Sequence, residues 1–239
     1  MKLKTLIASL SGLLLCLPAL AVNYSGNSNS GFGGPVGLGS LTLTDDGVTL
    51  FGTINKGPNG FNDVLVIYID SVTGGFTDTS SFSDAGDGLR KAISGYDGSN
   101  RSLLTFASGF TADYALALGP ASDNFGGLWT LASGANGSLN FNSSASLSPT
   151  GNNNSPTYTF SISLASIGIS PGQSFGIFGS YISNTGYRSD EAVAGSATGV
   201  QGYNNFTQTA FATYTVPEPT TLTLAASGLG LLLLIRRRR

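Results

Sequence analysis

Any chemistry in this chain has to come from carboxylates, amides, hydroxyls and aromatic rings. The 239 residues contain no histidine, one cysteine and one methionine. The last two are Cys16 and Met1, at the front of the chain. From residue 22 onward there is no imidazole, thiol or thioether. That excludes Ser-His-Asp and Cys-His nucleophilic catalysis, the usual zinc sites, His or Met axial ligation of haem, and disulfides. Carboxylates remain. Asp84, Asp87 and Asp97 follow Asp78 in a Gly-rich stretch, and calcium takes several oxygens from carboxylates and carbonyls. The spacing is not that of an EF-hand, and solvated turns carry the same pattern. The expectation is no cofactor, with calcium the one candidate and these three acids its candidate ligands. Two facing carboxylates about 5 to 10 Å apart would serve a glycosidase. No motif selects such a pair, and the chain is read as a non-enzyme.

Sugar binding asks for a different set. A sugar face stacks on a ring, and its hydroxyls need directional partners. The candidate contacts are Tyr96, Trp129 and Tyr187, with Tyr181 and Tyr203 near loops as well. Trp129 lies inside the strand-like run Gly127-Leu128-Trp129-Thr130-Leu131, so a core position and a binding platform both fit it.

Both ends of the chain carry address-like segments. Lys2 and Lys4 precede an apolar run from Leu6 to Leu17, Pro18 breaks it, and Ala19-Leu20-Ala21 forms an A-x-A site. This is the layout of a secretory signal peptide over residues 1–21, cut by a signal peptidase between Ala21 and Val22. Cys16 follows Leu15, where a lipobox wants a small residue, so Cys16 is expected to leave with the signal. At the other end stand Val216, Pro217, Glu218 and Pro219, then an apolar segment over 220–235, then Arg236, Arg237, Arg238 and Arg239. Four arginines in a row resist crossing a bilayer and hold their end on the cytoplasmic side. Its 16 residues would span about 24 Å as a helix, short against a hydrocarbon core of about 30 Å. Snorkelling arginines and local thinning close that gap. The segment is read as a transmembrane helix, either a processed sorting signal or a plain anchor.

The tail resembles the PEP-CTERM sorting signal of Gram-negative bacteria, which combines a near-terminal Pro-Glu-Pro, one hydrophobic helix and a terminal arginine cluster. The resemblance covers residues 216–239, about a tenth of the chain. It implies recognition by an exosortase, passage through the inner membrane during sorting, and delivery to the cell surface or extracellular matrix. It also implies an association with exopolysaccharide and biofilm.

Between these ends, residues 22–215 are long enough for one sizeable core. From Val22 to Val216 five basic residues (Lys56, Arg90, Lys91, Arg101 and Arg188) face twelve acidic ones, a formal charge of −7. The whole-chain net charge of −2 hides this, because the termini hold the other basic residues. An acidic exterior disfavours nucleic acid. Gly, Ser, Thr and Asn replace charge as the polar surface, and Phe and Tyr are frequent enough to fill a core.

The elements read as β throughout. Ser40–Thr44 and Val48–Ile54 flank Asp45-Asp46-Gly47, a hairpin signal. Asp63–Ile69 is almost continuously apolar and predicts a strand buried on both faces. Ser80–Gly88 is an acidic loop, and Leu89–Ile93 has room for one helical turn. Further strands are expected at 102–107, 112–118, 127–132, 158–164, 174–182 and 206–215. Residues 22–35 read as an irregular lead-in, and 136–156 as a hairpin with a flexible loop. Asp70 and Asp113 border apolar strands and are expected to cap loop backbones. About ten short strands without a long helical period predict an all-β fold: a single β-sandwich, jelly-roll-like, flanked by the signal peptide and the C-terminal helix.

The body also resembles the CBM9-like and DOMON-like sandwiches of secreted bacterial proteins. The likeness rests on Asn62–Asp70, Gly74-Gly75, Gly109–Leu116, and Ser163–Ile169 followed by Pro171-Gly172. It implies a sandwich and, in some relatives, sugar or haem as ligand. Haem is disfavoured by the missing axial ligands. The reading is a structural or adhesive surface protein, with a carbohydrate-binding module for exopolysaccharide as the alternative.

Overall fold

The computed structural model describes residues 20–120 and 125–218. The apolar segment 220–235, Arg236 to Arg239, Pro219 and the signal peptide up to Ala19 lie outside the described residues. Among the described residues no helix is long and apolar enough to cross a membrane.

In chain order the strands are β1 (Val22–Asn27), β2 (Ser40–Asp45), β3 (Thr49–Asn55), β4 (Val64–Asp70), β5 (Leu104–Thr105), β6 (Tyr114–Leu118), β7 (Gly126–Thr130), β8 (Asn140–Ser144), β9 (Thr157–Ser163), β10 (Ser174–Ile182), β11 (Arg188–Val193), β12 (Gly195–Gly199) and β13 (Phe206–Thr215). The helix α1 (Gly88–Ser94) lies between β4 and β5. The main hydrogen-bonded path runs β8-β7-β6-β4-β10-β11-β1-β2-β3-β9, and β13 joins it through β10 and carries β12 and β5. Every strand pairing is antiparallel except β13 with β5.

The β2–β3 hairpin forms where the sequence predicts it. Asp45 accepts from the Gly47 amide at 2.8 Å, and Asp46 accepts from Val48 and Thr49 at 2.9 and 2.7 Å. Gly47 has φ 83°, the left-handed turn position that favours glycine. In β2, β3 and β9 every second side chain is buried, so these strands bury a single face. β4 differs: Val64 to Ile69 are all buried.

That double burial organises the body. Leu65, Ile67 and Ile69 point into a first core, with Leu41, Leu43, Leu50, Ile54, Tyr158, Phe160 and Ile162 from β2, β3 and β9 opposite. This is the sandwich. Val64, Val66 and Tyr68 point the other way into a second core. There Phe82, Leu89, Ile93, Phe106, Phe110, Trp129 and Phe206 cover the sheet. Each fully buried aliphatic or aromatic side chain contributes about 1.5 to 3 kcal/mol relative to exposure.

Several expectations need correction. Residues 22–27 are not a lead-in: they form β1, with Tyr24 opposite Leu41 and Gly26 opposite Val193. β11 and β12 lie in a stretch for which the sequence predicts no strand. Only Leu104–Thr105 of the expected strand 102–107 pairs. Residues 136–156 do not pair with themselves; β8 pairs with β7, with Phe141 opposite Trp129. Asp70 and Asp113 do cap backbones. Asp70 accepts from Thr111 N at 3.0 Å, and Asp113 accepts from Ser71 N and Val72 N, each at 2.9 Å.

Candidate functional site: the sorting junction and the aromatic row

The C-terminal motif starts inside the fold. Thr215 is the last residue of β13, opposite Ser174, and their hydroxyls lie 2.8 Å apart. Val216 is fully buried. Its amide donates to Gln173 O at 2.9 Å, and its carbonyl accepts from Gly172 N at 2.9 Å. Pro217 and Glu218 are exposed. The Glu218 side chain lies against Gly172, where an added Cβ would stand 2.9 Å from Glu218 Cγ. Gly172 also has φ 87°, so both its backbone and its neighbour call for glycine. Nearby, Tyr214 donates its hydroxyl to Asp45 Oδ2 at 2.6 Å, tying the end of β13 to the β2–β3 turn. Burial and that carboxylate push the Tyr214 phenol well above its ordinary value. The motif therefore leaves a rigid corner with no intervening linker.

A family comparison agrees with that corner. The PEP-CTERM protein-sorting motif matches residues 215–239. The chain carries a PEP-CTERM protein-sorting motif. It is exported, anchored in the membrane during sorting and processed by an exosortase. No curated protein and no solved structure matches the chain. The likeness of the body to CBM9-like and DOMON-like domains therefore rests on its own residues. At the other end, Ala21 is exposed and directly precedes Val22, the first residue of β1.

The three candidate calcium ligands take separate roles in this PEP-CTERM chain. Asp84 is fully buried and accepts from Gly86 N at 3.1 Å and Leu139 N at 3.2 Å. Its Oδ2 lies 3.3 Å from Arg90 Nε. Asp87 is the N-cap of α1, accepting from Arg90 N at 2.9 Å, and it also pairs with the Arg90 guanidinium. Arg90 thus pairs with both carboxylates. Asp97 closes its own turn, accepting from Ser99 N, Asn100 N and the Asn100 side chain. Those donors hold its carboxyl down at about 2. Among the described residues no three such acids gather around one point.

The aromatic candidates separate as well. Tyr96 and Tyr187 lie on adjoining loops, since Gly186 packs against the Gly95–Tyr96 backbone. The Arg101 guanidinium sits 4.7 Å from the Tyr96 ring centre, in cation–π range. Tyr187 meets Tyr203 edge-on at 5.9 Å. Trp129 is 1% exposed and stands in the second core, with Arg90 5.8 Å over its ring.

Trp129 is the inner end of a row that sequence reading missed. Phe141 contacts it edge-on at 5.5 Å, and Phe125 stacks on Phe141 with centroids 6.3 Å apart and planes 24° apart. Phe125 and Phe141 are 45% and 49% exposed. Beside Phe125 is a cavity of about 340 Å³ lined by Asp87, Gly88, Leu89, Pro120, Phe125 and Asn184. The only sequence signal was the period of β7, which puts Gly127 and Trp129 on one face. Cross-strand register supplied the rest.

Proposed function

We propose that the body is a non-catalytic surface module, structural or adhesive, displayed at the cell surface or in the extracellular matrix of a Gram-negative bacterium. One observation carries this reading: most of the described acids are occupied in holding the fold. Asp45, Asp46, Asp70, Asp84, Asp87, Asp97 and Asp113 accept hydrogen bonds from turn, loop or helix-start amides. Glu191 is fully buried and accepts from the amides of Gly34, Val36 and Gly37 at 2.9, 3.4 and 3.2 Å. A carboxylate whose oxygens are held by backbone amides is poorly placed to take up or give a substrate proton. The missing imidazole and thiol close the other common routes.

The test is deletion of the gene in its native host with complementation by the intact chain. Surface or matrix retention of the protein, and adhesion that depends on it, are expected. Retention in the cytosol, or polysaccharide hydrolysis abolished by a single Asp→Asn change, would overturn the reading.

The Phe125–Phe141 pair favours a second reading, a carbohydrate-binding module for exopolysaccharide. An exposed stacked pair beside an amide (Asn184) has the composition that sugar faces and hydroxyls use. Polysaccharide pull-down by the wild-type body, lost in Phe125→Ala and Phe141→Ala, is the expected signature. No pull-down by the wild type sinks it.

A further inference from the structure

The corner that releases the sorting motif has a surface of its own. Val216 is fixed by burial and two backbone hydrogen bonds. Only Pro217, Glu218 and Pro219 separate it from the apolar segment that begins at residue 220. Three residues reach at most about 11 Å when fully extended, and nearer 9 Å in the polyproline geometry that two prolines favour. The headgroup layer alone takes about 5 to 8 Å on each side of a bilayer. With the tail in the membrane, the body cannot stand clear of the lipid surface.

The residues around Val216 suit that position. Val48, at the tip of the β2–β3 turn, is 68% exposed, and its carbonyl accepts from Leu164 N at 2.9 Å. Val72 is 44% exposed and packs beside Gly168. Pro171 lies next to both Gly47 and Gly172. Among the described residues no lysine or arginine belongs to this corner: Lys56 follows β3 at its opposite end, and the other four basic residues of the body lie in or around α1, β5 and β11. The exposed charge here is acidic, Asp46 and Glu218. Attraction to anionic headgroups therefore does not drive the contact; short reach and apolar tips do.

We propose that this corner, with Val48 and Val72 at its tips, is a seat for the phospholipid surface while residues 220–239 are still attached. The proposal rests on membrane anchoring through that tail. It extends it by naming the surface of the body that meets lipid.

The test uses the full chain with Cys16→Ser, carrying one added cysteine at a time. The positions are Val48→Cys, Val72→Cys and, as the distant control, Val200→Cys. Val200 is 73% exposed and precedes the opposite end of β13 from Val216. Each is labelled with an environment-sensitive fluorophore and mixed with phosphatidylcholine vesicles carrying a headgroup-level nitroxide quencher. All three sites are exposed, so labelling leaves the core intact. The expected result is co-flotation with vesicles and at least twofold quenching at Val48→Cys and Val72→Cys, with none at Val200→Cys. Co-flotation with equal, low quenching at all three sites overturns the seat and leaves anchoring standing. Quenching that requires anionic lipid overturns the apolar mechanism. Failure to co-float overturns anchoring, and the seat with it.

Discussion

The two faces of β4 are closed in different ways. On one side the first core is sealed by strands: β2, β3 and β9 lay alternating apolar side chains over Leu65, Ile67 and Ile69. On the other side the second core is sealed largely by α1 and the loops between β4 and β6. Strand ladders satisfy their own backbone, so the first core can be almost wholly apolar. Loops leave carbonyls without ladder partners, and side chains must reach them. Arg101 does so three times, donating to Thr79 O at 2.9 Å, Phe82 O at 2.8 Å and Ser94 O at 3.3 Å. Arg188 is fully buried and donates to Ser180 Oγ at 2.6 Å. Arg101 is mortar for loop backbone, while Arg188 ties β11 to β10.

The comparison breaks most visibly if the first core is opened. Leu65→Ala should cost about 3 kcal/mol, the usual scale for a fully buried leucine. Urea titration should show a lower midpoint with unchanged slope, because the sandwich unfolds as a unit. A change confined to the second face would contradict this. Next comes Arg101→Met, which strips three carbonyls of their donor and should cost about 2 kcal/mol. Hydrogen exchange should accelerate around Thr79 to Ser94 before it does in β2 and β3. Uniform acceleration would erase the distinction between strand closure and loop closure.

A smaller effect sits at the rim of the first core. Tyr24 donates to Thr213 O at 3.1 Å, and partial burial pushes its phenol up to about 12. A raised phenol stabilises the fold fully below its ordinary value near 10, and that contribution is lost as pH rises through about 12. Tyr24→Phe should lower stability at neutral pH by about 1 kcal/mol or less and remove one phenol from the late part of the ultraviolet titration. An unchanged titration would detach Tyr24 from that rim.

The smallest effect belongs to a loop on the second face. The Asp97 carboxyl, held down at about 2, contributes only above the ordinary carboxylate range, and its contribution fades as pH falls from about 4 to about 2. The carbonyl-carbon shift of Asp97 should report that late midpoint, with local loosening at Ser99 and Asn100 and no change in the global fold. A midpoint near 4 would show the turn to be unclasped in solution.

What was legible follows the same divide. The β2–β3 hairpin, the doubly buried β4 and the alternating β9 announce themselves because apolar period and turn chemistry agree at short range. β1 and β11 did not. Their sequences, Val-Asn-Tyr-Ser-Gly-Asn and Arg-Ser-Asp-Glu-Ala-Val, are polar, and Glu191 becomes a core residue only because the Gly34–Gly37 amides converge on it. The sorting motif was fully legible, since composition and order suffice to define it. The Phe125–Phe141 pair was not, because residues 16 positions apart meet only through the β7–β8 register and the chain that leads into it.

β1 also sets the order in which the chain completes itself. The first strand after the expected signal site lies between β2 and β11, so Gly26 waits for Val193 and Tyr24 for Thr213. In a chain threaded N-terminus first, nearly the whole body must cross before that gap is filled. Such long-range closure belongs to the slow end of folding, milliseconds to seconds. Until then β1 presents an unpaired edge, as β3 does until β9 arrives, a risk of misassociation. The last residues of the body to arrive, β13 and Val216, complete it and run directly into the sorting motif, so the finished fold and the address for it emerge together.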